Sequence, residues 1–282
     1  MSLTVTPTGS SCGAVATGID LTESVSPEIV SELRSHWLEH KVLVFPRQNL
    51  SNDDLERVSA YFGELGDDPF FGHIEGHKHI CAIQRNADET APVFAEFFHS
   101  DWSFMKTPPA ATALYGIKIP PSGGDTLFAD QVAAYEQMPD ELRARTEGLM
   151  AIHSAELGYA PDGVYGDSEE NRQRSMKIVT SEKARDKQEH PLVITHRETG
   201  NKALFSSLAY IQGFVGMDKS ESDALLIDLY NHQSKEEFVY RHKWEKGMLV
   251  IWDNRSVLHS ATGGYDGYDR LLHRTTIWDT VI

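Results

Sequence analysis

The chain has 282 residues, of which 40% are hydrophobic, so it is long enough for one large domain or two small ones with a sizeable core. Its formal net charge of −16 argues against DNA or RNA as a partner, because nucleic-acid-binding proteins normally present a basic face. Residues Met1 to Thr8 lack a basic stretch followed by an apolar one, and no apolar run reaches the ~18 residues that cross a membrane, so we expect neither a secretory signal nor a membrane span. Its two cysteines, Cys12 and Cys81, are too few for a disulfide framework. We therefore expect one cytoplasmic domain over residues 1–282, with no membrane partner and with buried or unreactive thiols.

Two helices and one buried strand are predicted near the N-terminus. Ser26 followed by Pro27 is a typical helix start, and apolar residues recur on one helical face between positions 29 and 37. Ser51 and Asp54 have the spacing of a capping box at the start of a second helix. Between the two helices, the apolar run 42–45 indicates a strand that is buried on both faces.

The rest of the chain alternates short apolar runs with polar turns. We predict helices over 131–148 and 218–233, and strands over 110–117, 192–195, 203–205, 247–252 and 270–277, with a hairpin loop at 196–201. Residues 157–190 are polar, which is typical of an insertion over the core and fits either tolerated surface or an active-site lid. The pattern predicts a mainly β protein with helical covers (α+β) and a barrel-like or jelly-roll core.

One spacing of metal-ligating residue types recurs in the chain, a histidine followed two positions later by a carboxylate. On a β-strand, residues at this spacing point to the same face, so the imidazole and the carboxylate converge on one ion. The pairs are His73/Glu75, His99/Asp101 and His196/Glu198. Three pairs are close to what chance predicts for 13 histidines and 42 acidic residues, so the spacing alone does not choose among them.

Sequence context favours the pair His99 and Asp101. Aromatic residues flank this pair on both sides, and apolar surroundings strengthen the electrostatics of a metal site. By contrast, His196 lies in the predicted hairpin loop and His73 in an irregular segment, which are poorer places for a preorganised site. A second histidine from a distant strand would complete the three-ligand face of non-haem iron oxygenases. The alternative is that His99 is a core histidine satisfied by its neighbours.

Two arginines near the C-terminus share one face of a predicted strand. Arg270 and Arg274 are an even number of residues apart, so both side chains point the same way. If that direction is inward, both guanidinium groups enter the core, where a buried cation requires an anion such as a carboxylate. The alternative is two surface arginines on an acidic protein.

In their order along the chain, these motifs resemble the taurine dioxygenase and 2,4-dichlorophenoxyacetate dioxygenase family of iron(II)- and 2-oxoglutarate-dependent oxygenases. The resemblance covers nearly the whole chain. The motifs that carry it are Thr4-Val-Thr-Pro-Thr-Gly9, Gly18-Ile-Asp-Leu21, Val42-Leu-Val-Phe45, Phe62-Gly-Glu-Leu65, Phe98-His-Ser-Asp-Trp-Ser-Phe104, Pro108-Pro109, Pro121-Ser-Gly-Gly-Asp-Thr126, Glu237-Phe-Val-Tyr-Arg-His-Lys-Trp244 and Trp252-Asp-Asn-Arg-Ser-Val-Leu-His259. Ordered matches over such a length are highly specific.

The resemblance implies a metal site, two co-substrates and a fold. It makes His99, Asp101 and His259 the iron(II) ligands, and it makes Thr126 and Arg270 the residues that bind the distal carboxylate of 2-oxoglutarate. Turnover would then consume O2 and release succinate and CO2. The implied fold is a double-stranded β-helix (jelly roll), and family members are often homodimers or homotetramers.

The resemblance also suggests where the substrate binds and what it is. It implies that Arg274 grips the anionic group of a small organic substrate, with Phe104 and Tyr210 beside it. Taurine dioxygenases use a histidine and a tyrosine for the sulfonate, and Asp68 and Phe71 stand at those positions here. A carboxylate would repel a sulfonate, and the C-terminal motifs are similar to the aryloxyalkanoate branch. We therefore expect hydroxylation of a carboxylate such as an aryloxyalkanoate, or of a sulfonate or sulfate ester other than taurine.

Three alternatives remain open from the sequence. The first is taurine dioxygenase itself. The second is a zinc hydrolase with the same three ligands, because two histidines and a carboxylate also suit zinc. The third is a non-catalytic binding protein of the same fold. A hydrolase has no use for Thr126 and Arg270, and a binding protein gives no reason for all five key positions to be intact.

Overall fold

The computed structural model describes residues 3–279. Its helices are α1 (Pro27–His40), α2 (Asn52–Ser59), α3 (Gln131–Glu136), α4 (Asp140–Thr146), α5 (Glu156–Tyr159), α6 (Glu169–Arg172) and α7 (Lys219–Gln233), with 3-10 turns at Glu182–Arg185 and Glu236–Phe238. Its strands are β1 (Thr4–Pro7), β2 (Ala14–Thr17), β3 (Val42–Phe45), β4 (Glu64–Gly66), β5 (His73–Ile74), β6 (His77–Arg85), β7 (Ala111–Lys118), β8 (Thr126–Asp130), β9 (Met150–Ser154), β10 (Lys187–Pro191), β11 (Val193–Thr195), β12 (Lys202–Leu204), β13 (Ile211–Phe214), β14 (Val239–His242), β15 (Leu249–Asp253), β16 (Val257–Ala261) and β17 (Arg270–Trp278).

The strands form one large sheet and three small ones. The large sheet has nine strands in the order β1-β2-β3-β15-β7-β17-β6-β5, with β4 also paired to β17. Its pairs are antiparallel except for β2 and β3, which run parallel. The small sheets are β14-β8-β16, β10-β9-β13 and the hairpin β11-β12. Strands therefore dominate the fold, as the sequence predicts.

Strand β15 illustrates why the large sheet is covered on both faces. Successive side chains of a strand point to opposite faces, and all five residues of β15 are buried. Leu249 and Ile251 pack in the cluster that includes Trp37 of α1. Val250 and Trp252 pack instead in a cluster that includes residues of the sheet β14-β8-β16. The large sheet thus lies between the N-terminal helices and a second sheet.

The local signals at the helix starts are confirmed. The Ser26 side chain accepts a hydrogen bond from the backbone N–H of Ile29, with Pro27 as the first helical residue. Ser51 and Asp54 form both hydrogen bonds of a capping box at α2. The longest helix, α7, has 15 residues, and no helix within residues 3–279 is long and apolar enough to cross a membrane.

The predicted helix over 131–148 is wrong as a single element. Helix α3 ends at Glu136, and α4 begins at Asp140 after Pro139. Proline disfavours helical backbone in the preceding residue and has no N–H for a helical hydrogen bond, so the chain breaks there. The predicted strands over 110–117, 247–252 and 270–277, and the hairpin of 192–195 with 203–205, are confirmed to within one or two residues.

The polar segment 157–190 is partly buried rather than simply exposed. It contains part of α5, α6 and a 3-10 turn, and it touches the core through a bridge between Ile178 and Phe71. Tyr159 and Met176 from this segment are buried in an aromatic cluster with Trp102. The segment therefore packs directly beside the His99/Asp101 loop.

Candidate active site

Three side chains expected as metal ligands converge at one point between the two sheets. The backbones of His99 and His259 exchange two hydrogen bonds, of 3.0 and 2.9 Å, which fixes one imidazole beside the other. One Asp101 carboxylate oxygen, Oδ1, lies 3.7 Å from Nε2 of His99 and 3.6 Å from Nε2 of His259. One potential ligand atom from each residue lies within 4.8 Å of the others, and all three residues are buried.

His99 and Asp101 do not lie on a regular β-strand, the element for which their spacing would bring both side chains to one face. His99 makes only an isolated bridge, and Asp101 lies in a turn in which Trp102 has a positive φ of 48°. Such a φ is rare in non-glycine residues. The turn, rather than strand alternation, therefore brings the carboxylate to the same side as the imidazole.

The two imidazoles are suited to binding a metal because they are neutral. Burial lowers the pKa of His259 to about 3 and also lowers the pKa of His99, although the Asp101 carboxylate opposes this for both. Nδ1 of His99 lies 2.9 Å from the carbonyl oxygen of Phe97. If Nδ1 carries the proton and donates it there, the lone pair of Nε2 faces Asp101.

The Asp101 carboxylate is held in its charged form and orientation by neighbours. Thr112 donates a hydrogen bond of 2.6 Å to Oδ2, and Asn254 in turn donates to the Thr112 hydroxyl at 2.9 Å. Nη1 of Arg274 donates to Oδ1 at 3.0 Å. Burial opposes ionisation, but the Arg274 guanidinium and the hydrogen bond from Thr112 favour the charged form, and the pKa of Asp101 stays below its ordinary value. Two neutral imidazoles and one carboxylate on one side are the donor set that iron(II) takes with open positions left over.

The residues of the other two histidine–carboxylate pairs have other partners or lie at the surface. Nε2 of His196 lies 2.9 Å from Oδ2 of Asp253, and Glu198 pairs with Arg34. His73 is exposed on β5. Two further groups of metal-ligating residue types lie near the surface, at His36/Glu39/His40 and Asp53/Glu56/His77. Within residues 3–279, only the group formed by His99, Asp101 and His259 is fully buried.

An enclosed cavity of about 70 Å³ adjoins the histidines and contains the residues expected to bind 2-oxoglutarate. Its lining includes His99, His259, Thr126 and Arg270. Arg270 is buried, its Nη2 donates to the carbonyl oxygen of Gly124 at 3.1 Å, and its Nε has no hydrogen-bond partner. The hydroxyl oxygen of Thr126 accepts a hydrogen bond of 3.0 Å from the Trp244 indole, which leaves its own proton to donate. A buried guanidinium with a free donor beside a hydroxyl fits a carboxylate.

An open cleft of about 400 Å³ continues outward from this cavity. Tyr210 lines it, as do the exposed apolar side chains of Phe97, Leu157 and Val164. Four residues border both the cleft and the enclosed cavity, namely Phe94, Ala95, His99 and Arg174.

Three of the five residues expected to contact the substrate lie elsewhere. Arg274 lines the enclosed cavity. In the structure of residues 3–279, Asp68, Phe71 and Phe104 line neither the cavity nor the cleft. Phe104 packs on Tyr210 with ring centroids 5.0 Å apart, and Phe71 packs on Trp102 at 4.9 Å. These side chains support the wall of the site from behind.

The Arg274 guanidinium is matched by two carboxylates. Besides the bond to Asp101, its Nη2 lies 3.3 Å from Oδ1 of Asp68. The same Asp68 oxygen accepts hydrogen bonds from the Trp102 indole at 2.6 Å and from the Thr276 hydroxyl at 2.7 Å. Asp68 thus adds a second negative charge beside the Arg274 guanidinium.

Sequence reasoning missed several residues of the site. Thr112 and Asn254 orient Asp101, and Arg174 reaches both cavities. Asn254 falls within the Trp252–His259 motif, so a signal for it was present. Thr112 is one β-strand residue among many, and Arg174 is one charge in a highly charged segment, so nothing in their local sequence distinguishes them.

The fold and the site together define a class of protein. Two histidines and a carboxylate meet beside an arginine-lined cavity between two β-sheets, and this combination is characteristic of metal- and 2-oxoglutarate-dependent oxygenases. The family model for taurine catabolism dioxygenase TauD, TfdA family, matches residues 4–276. The chain belongs to this family and is a 2-oxoglutarate-dependent dioxygenase.

The relatives of this chain are named for different substrates. The chain is 33% identical to an alkylsulfatase of Acinetobacter baylyi, over 94% of this chain and 81% of the relative. It is also 33% identical to the alpha-ketoglutarate-dependent 2,4-dichlorophenoxyacetate dioxygenase of Cupriavidus pinatubonensis, with both chains fully covered. Among solved structures, a taurine dioxygenase from Burkholderia xenovorans superposes with a TM-score of 0.80 at 32% identity, covering 98% of this chain and 91% of that one.

Proposed function

We propose that this chain binds iron(II) through His99, Asp101 and His259, and that it uses 2-oxoglutarate and O2 to hydroxylate a small anionic organic substrate. In this proposal Arg270 and Thr126 bind the distal carboxylate of 2-oxoglutarate. The observation that carries it is the buried Arg270 guanidinium, whose Nε is unpaired in a cavity shared with the two metal-ligating histidines. Iron and 2-oxoglutarate, when bound, supply the oxidation of a C–H bond and release succinate and CO2.

The contribution of the protein is to position the reactants and exclude water. Arg270 and Thr126 fix one end of 2-oxoglutarate, so that its other end faces the metal ligands. Tyr210, backed by Phe104, lines the cleft beside His99, with 6.1 Å between the ring centroids of Tyr210 and His99. Small errors in the placement of a C–H bond are costly in rate, so a rigid wall matters as much as the ligands. Arg274 orients Asp101 and is a further candidate for contact with the substrate.

Two structural proposals accompany this function. The large sheet and the sheet β14-β8-β16 would be the two faces of a double-stranded β-helix, because both contribute residues to the apolar cluster between them. Segment 157–190 would be a lid, because its Tyr159 and Tyr165 line the cleft directly above His99. The names of two relatives, an alkylsulfatase and a 2,4-dichlorophenoxyacetate dioxygenase, support an anionic organic substrate.

The proposed function is tested by following succinate release from 2-oxoglutarate in air. The iron(II)-loaded protein is supplied in turn with 2,4-dichlorophenoxyacetate, an alkyl sulfate, an alkanesulfonate and taurine. We expect one of the first three to stimulate succinate release, and we expect His259→Gln to abolish it. Succinate release that does not require iron, or that no organic anion stimulates, contradicts the proposal.

A zinc hydrolase with the same ligands makes the opposite prediction. The zinc(II)-loaded protein would cleave the alkyl sulfate without O2 and without 2-oxoglutarate. We expect no cleavage under those conditions, because Arg270 and Thr126 have no role in hydrolysis.

A further inference from the structure

Arg174 comes from the polar segment 157–190, but its side chain is only 6% exposed. It borders both the enclosed cavity with Arg270 and the open cleft with Tyr210. Its guanidinium lies over the ring of Tyr165, 5.4 Å from the centroid. A charged group from a surface segment is therefore inserted into the wall between the two cavities.

The hydrogen bonds of Arg174 leave part of its guanidinium free. Nε donates to Oδ1 of Asn171 and Nη1 donates to the carbonyl oxygen of Pro92, both at 2.9 Å. Nη2 has no hydrogen-bond acceptor among residues 3–279. The carboxylate of Glu89 lies 4.0 Å from Nη1, and that carboxylate already accepts a hydrogen bond of 2.8 Å from the backbone N–H of Ser175.

Arg174 is less compensated by carboxylates than Arg85 and Arg274, two of the other three arginines that line the enclosed cavity. Arg274 has two carboxylates, at 3.0 and 3.3 Å. Arg85 lies 3.4 Å from Glu89 and donates to two backbone carbonyl groups. Arg270 is the residue proposed for the carboxylate of 2-oxoglutarate. A poorly matched, nearly buried cation at the boundary of the cleft favours an anion that enters through the cleft.

We propose that Arg174, and not Arg274, binds the anionic group of the substrate, which is an organic monoanion whose apolar part lies in the cleft. This inference rests on the proposed function, since it names the residue that recognises the substrate of that site. The apolar side chains of Phe97, Leu157 and Val164 surround the mouth of the cleft and would contact the apolar part. Arg174 would thereby connect the segment 157–190 to the substrate by a charged hydrogen bond.

The test measures binding rather than turnover. Protein is loaded with manganese(II) and 2-oxoglutarate without O2, and the dissociation constants of 2,4-dichlorophenoxyacetate, of octyl sulfate and of the uncharged methyl ester of the first are measured by calorimetry. We expect Arg174→Gln to weaken the binding of both anions about 10- to 100-fold, because a charged hydrogen bond is lost. The affinities for the ester and for 2-oxoglutarate should not change.

The matched control is Arg172→Gln, two residues away. The Arg172 side chain is 68% exposed and pairs with Asp167 at 2.7 Å, so the same change of charge in the same segment should leave anion binding unchanged. If Arg174→Gln does not fold, Arg174→Lys is used instead, because it keeps the charge but loses the planar donor group. We expect Arg174→Lys to weaken the binding of the anions and to leave the binding of the ester unchanged.

Three results overturn the inference. The first is unchanged anion binding in Arg174→Gln, and a loss of binding in Arg274→Gln alongside it would assign the anion to Arg274 instead. The second is an equal loss for the anions and the ester, which means that Arg174 only anchors the segment. The third is that wild-type protein loaded with metal and 2-oxoglutarate binds neither anion. Failure of the proposed function itself is distinct, because metal and 2-oxoglutarate would then not bind to the wild type at all.

Discussion

At the scale of single residues, the site depends on how firmly Asp101 is oriented. Its two oxygens accept hydrogen bonds from Thr112 and Arg274, and a third residue, Asn254, fixes the hydroxyl of Thr112. Neighbours of this kind keep a metal ligand in one orientation before the metal arrives. The orientation of the Asp101 carboxylate is therefore set by residues outside the His99/Asp101 turn as well as by the turn itself.

Replacing Thr112 by valine removes one of these hydrogen bonds without changing the shape of the side chain. We expect Thr112→Val to weaken metal binding about 10- to 100-fold, the range for residues that orient a ligand. The measurement is a titration of metal-free protein with manganese(II). Thr195→Val, at the exposed end of strand β11, is the matched control and should bind as the wild type does. Unchanged affinity in Thr112→Val would show that the turn alone sets the carboxylate.

Arg270 gives a second prediction, on the co-substrate. Arg270→Gln removes the guanidinium proposed for the distal carboxylate, so the dissociation constant of 2-oxoglutarate should rise about 10- to 100-fold. Metal binding should stay the same, because Arg270 has no contact with the three ligands in residues 3–279. The control is Arg241→Gln, since Arg241 is 54% exposed and pairs with Asp125. Equal affinity for 2-oxoglutarate in wild type and Arg270→Gln contradicts the assignment.

Asp68 gives a third prediction, on stability. Its side chain is 1% exposed, and its removal leaves the buried Arg274 with one carboxylate fewer. We expect Asp68→Ala to lower the free energy of unfolding by about 3 kcal/mol, as breaking a buried ion pair does. Asp67→Ala is the control, because the Asp67 side chain is 66% exposed. Urea denaturation of the two variants measures the difference, and equal stabilities would mean that the Asp68–Arg274 pair contributes nothing.

At the scale of elements, sequence signals succeed where they are local. The helix starts at Ser26 and Ser51 follow from capping chemistry, and the inward face shared by Arg270 and Arg274 follows from strand alternation. The break at Pro139 also has a local signal, the proline itself, although the apolar periodicity around it predicts one continuous helix. Strand alternation likewise predicted convergence of His99 and Asp101, but the turn at Trp102 produces it.

Contacts between distant elements could not be predicted in this way. Arg174 reaches the site because segment 157–190 folds back over the cleft, and Asp68 reaches Arg274 because the loop after β4 packs against β17. Both depend on loop conformations that neither periodicity nor capping determines. The family resemblance points to the carboxylate at position 68 but does not predict that it pairs with Arg274.

At the scale of the whole molecule, buried histidines couple stability to pH. Burial lowers the pKa of His153 to about 3 and that of His242 to about 4, well below the ordinary value of 6.5. As the pH falls below 6.5, the unfolded chain therefore takes up protons before the folded chain does, and stability is lost. Carboxylates with lowered pKa values contribute in the same direction only nearer pH 4.

We expect the free energy of unfolding of the metal-free protein to fall between pH 6.5 and pH 5. His153→Gln should reduce the slope by up to about 1.4 kcal/mol per pH unit, the effect of one proton. Urea denaturation at several pH values measures it, and His73→Gln tests for a general effect of losing a histidine. A slope that His153→Gln leaves unchanged contradicts this source of acid sensitivity.

We propose that one cavity holds a metal on His99, Asp101 and His259 and 2-oxoglutarate on Arg270. The most direct test of this proposal is the visible absorption spectrum of the protein without O2. We predict that adding 2-oxoglutarate to the iron(II)-loaded protein produces a weak visible charge-transfer band, and that His259→Gln lacks this band. No band in the wild type, or an equal band in His259→Gln, would contradict the account.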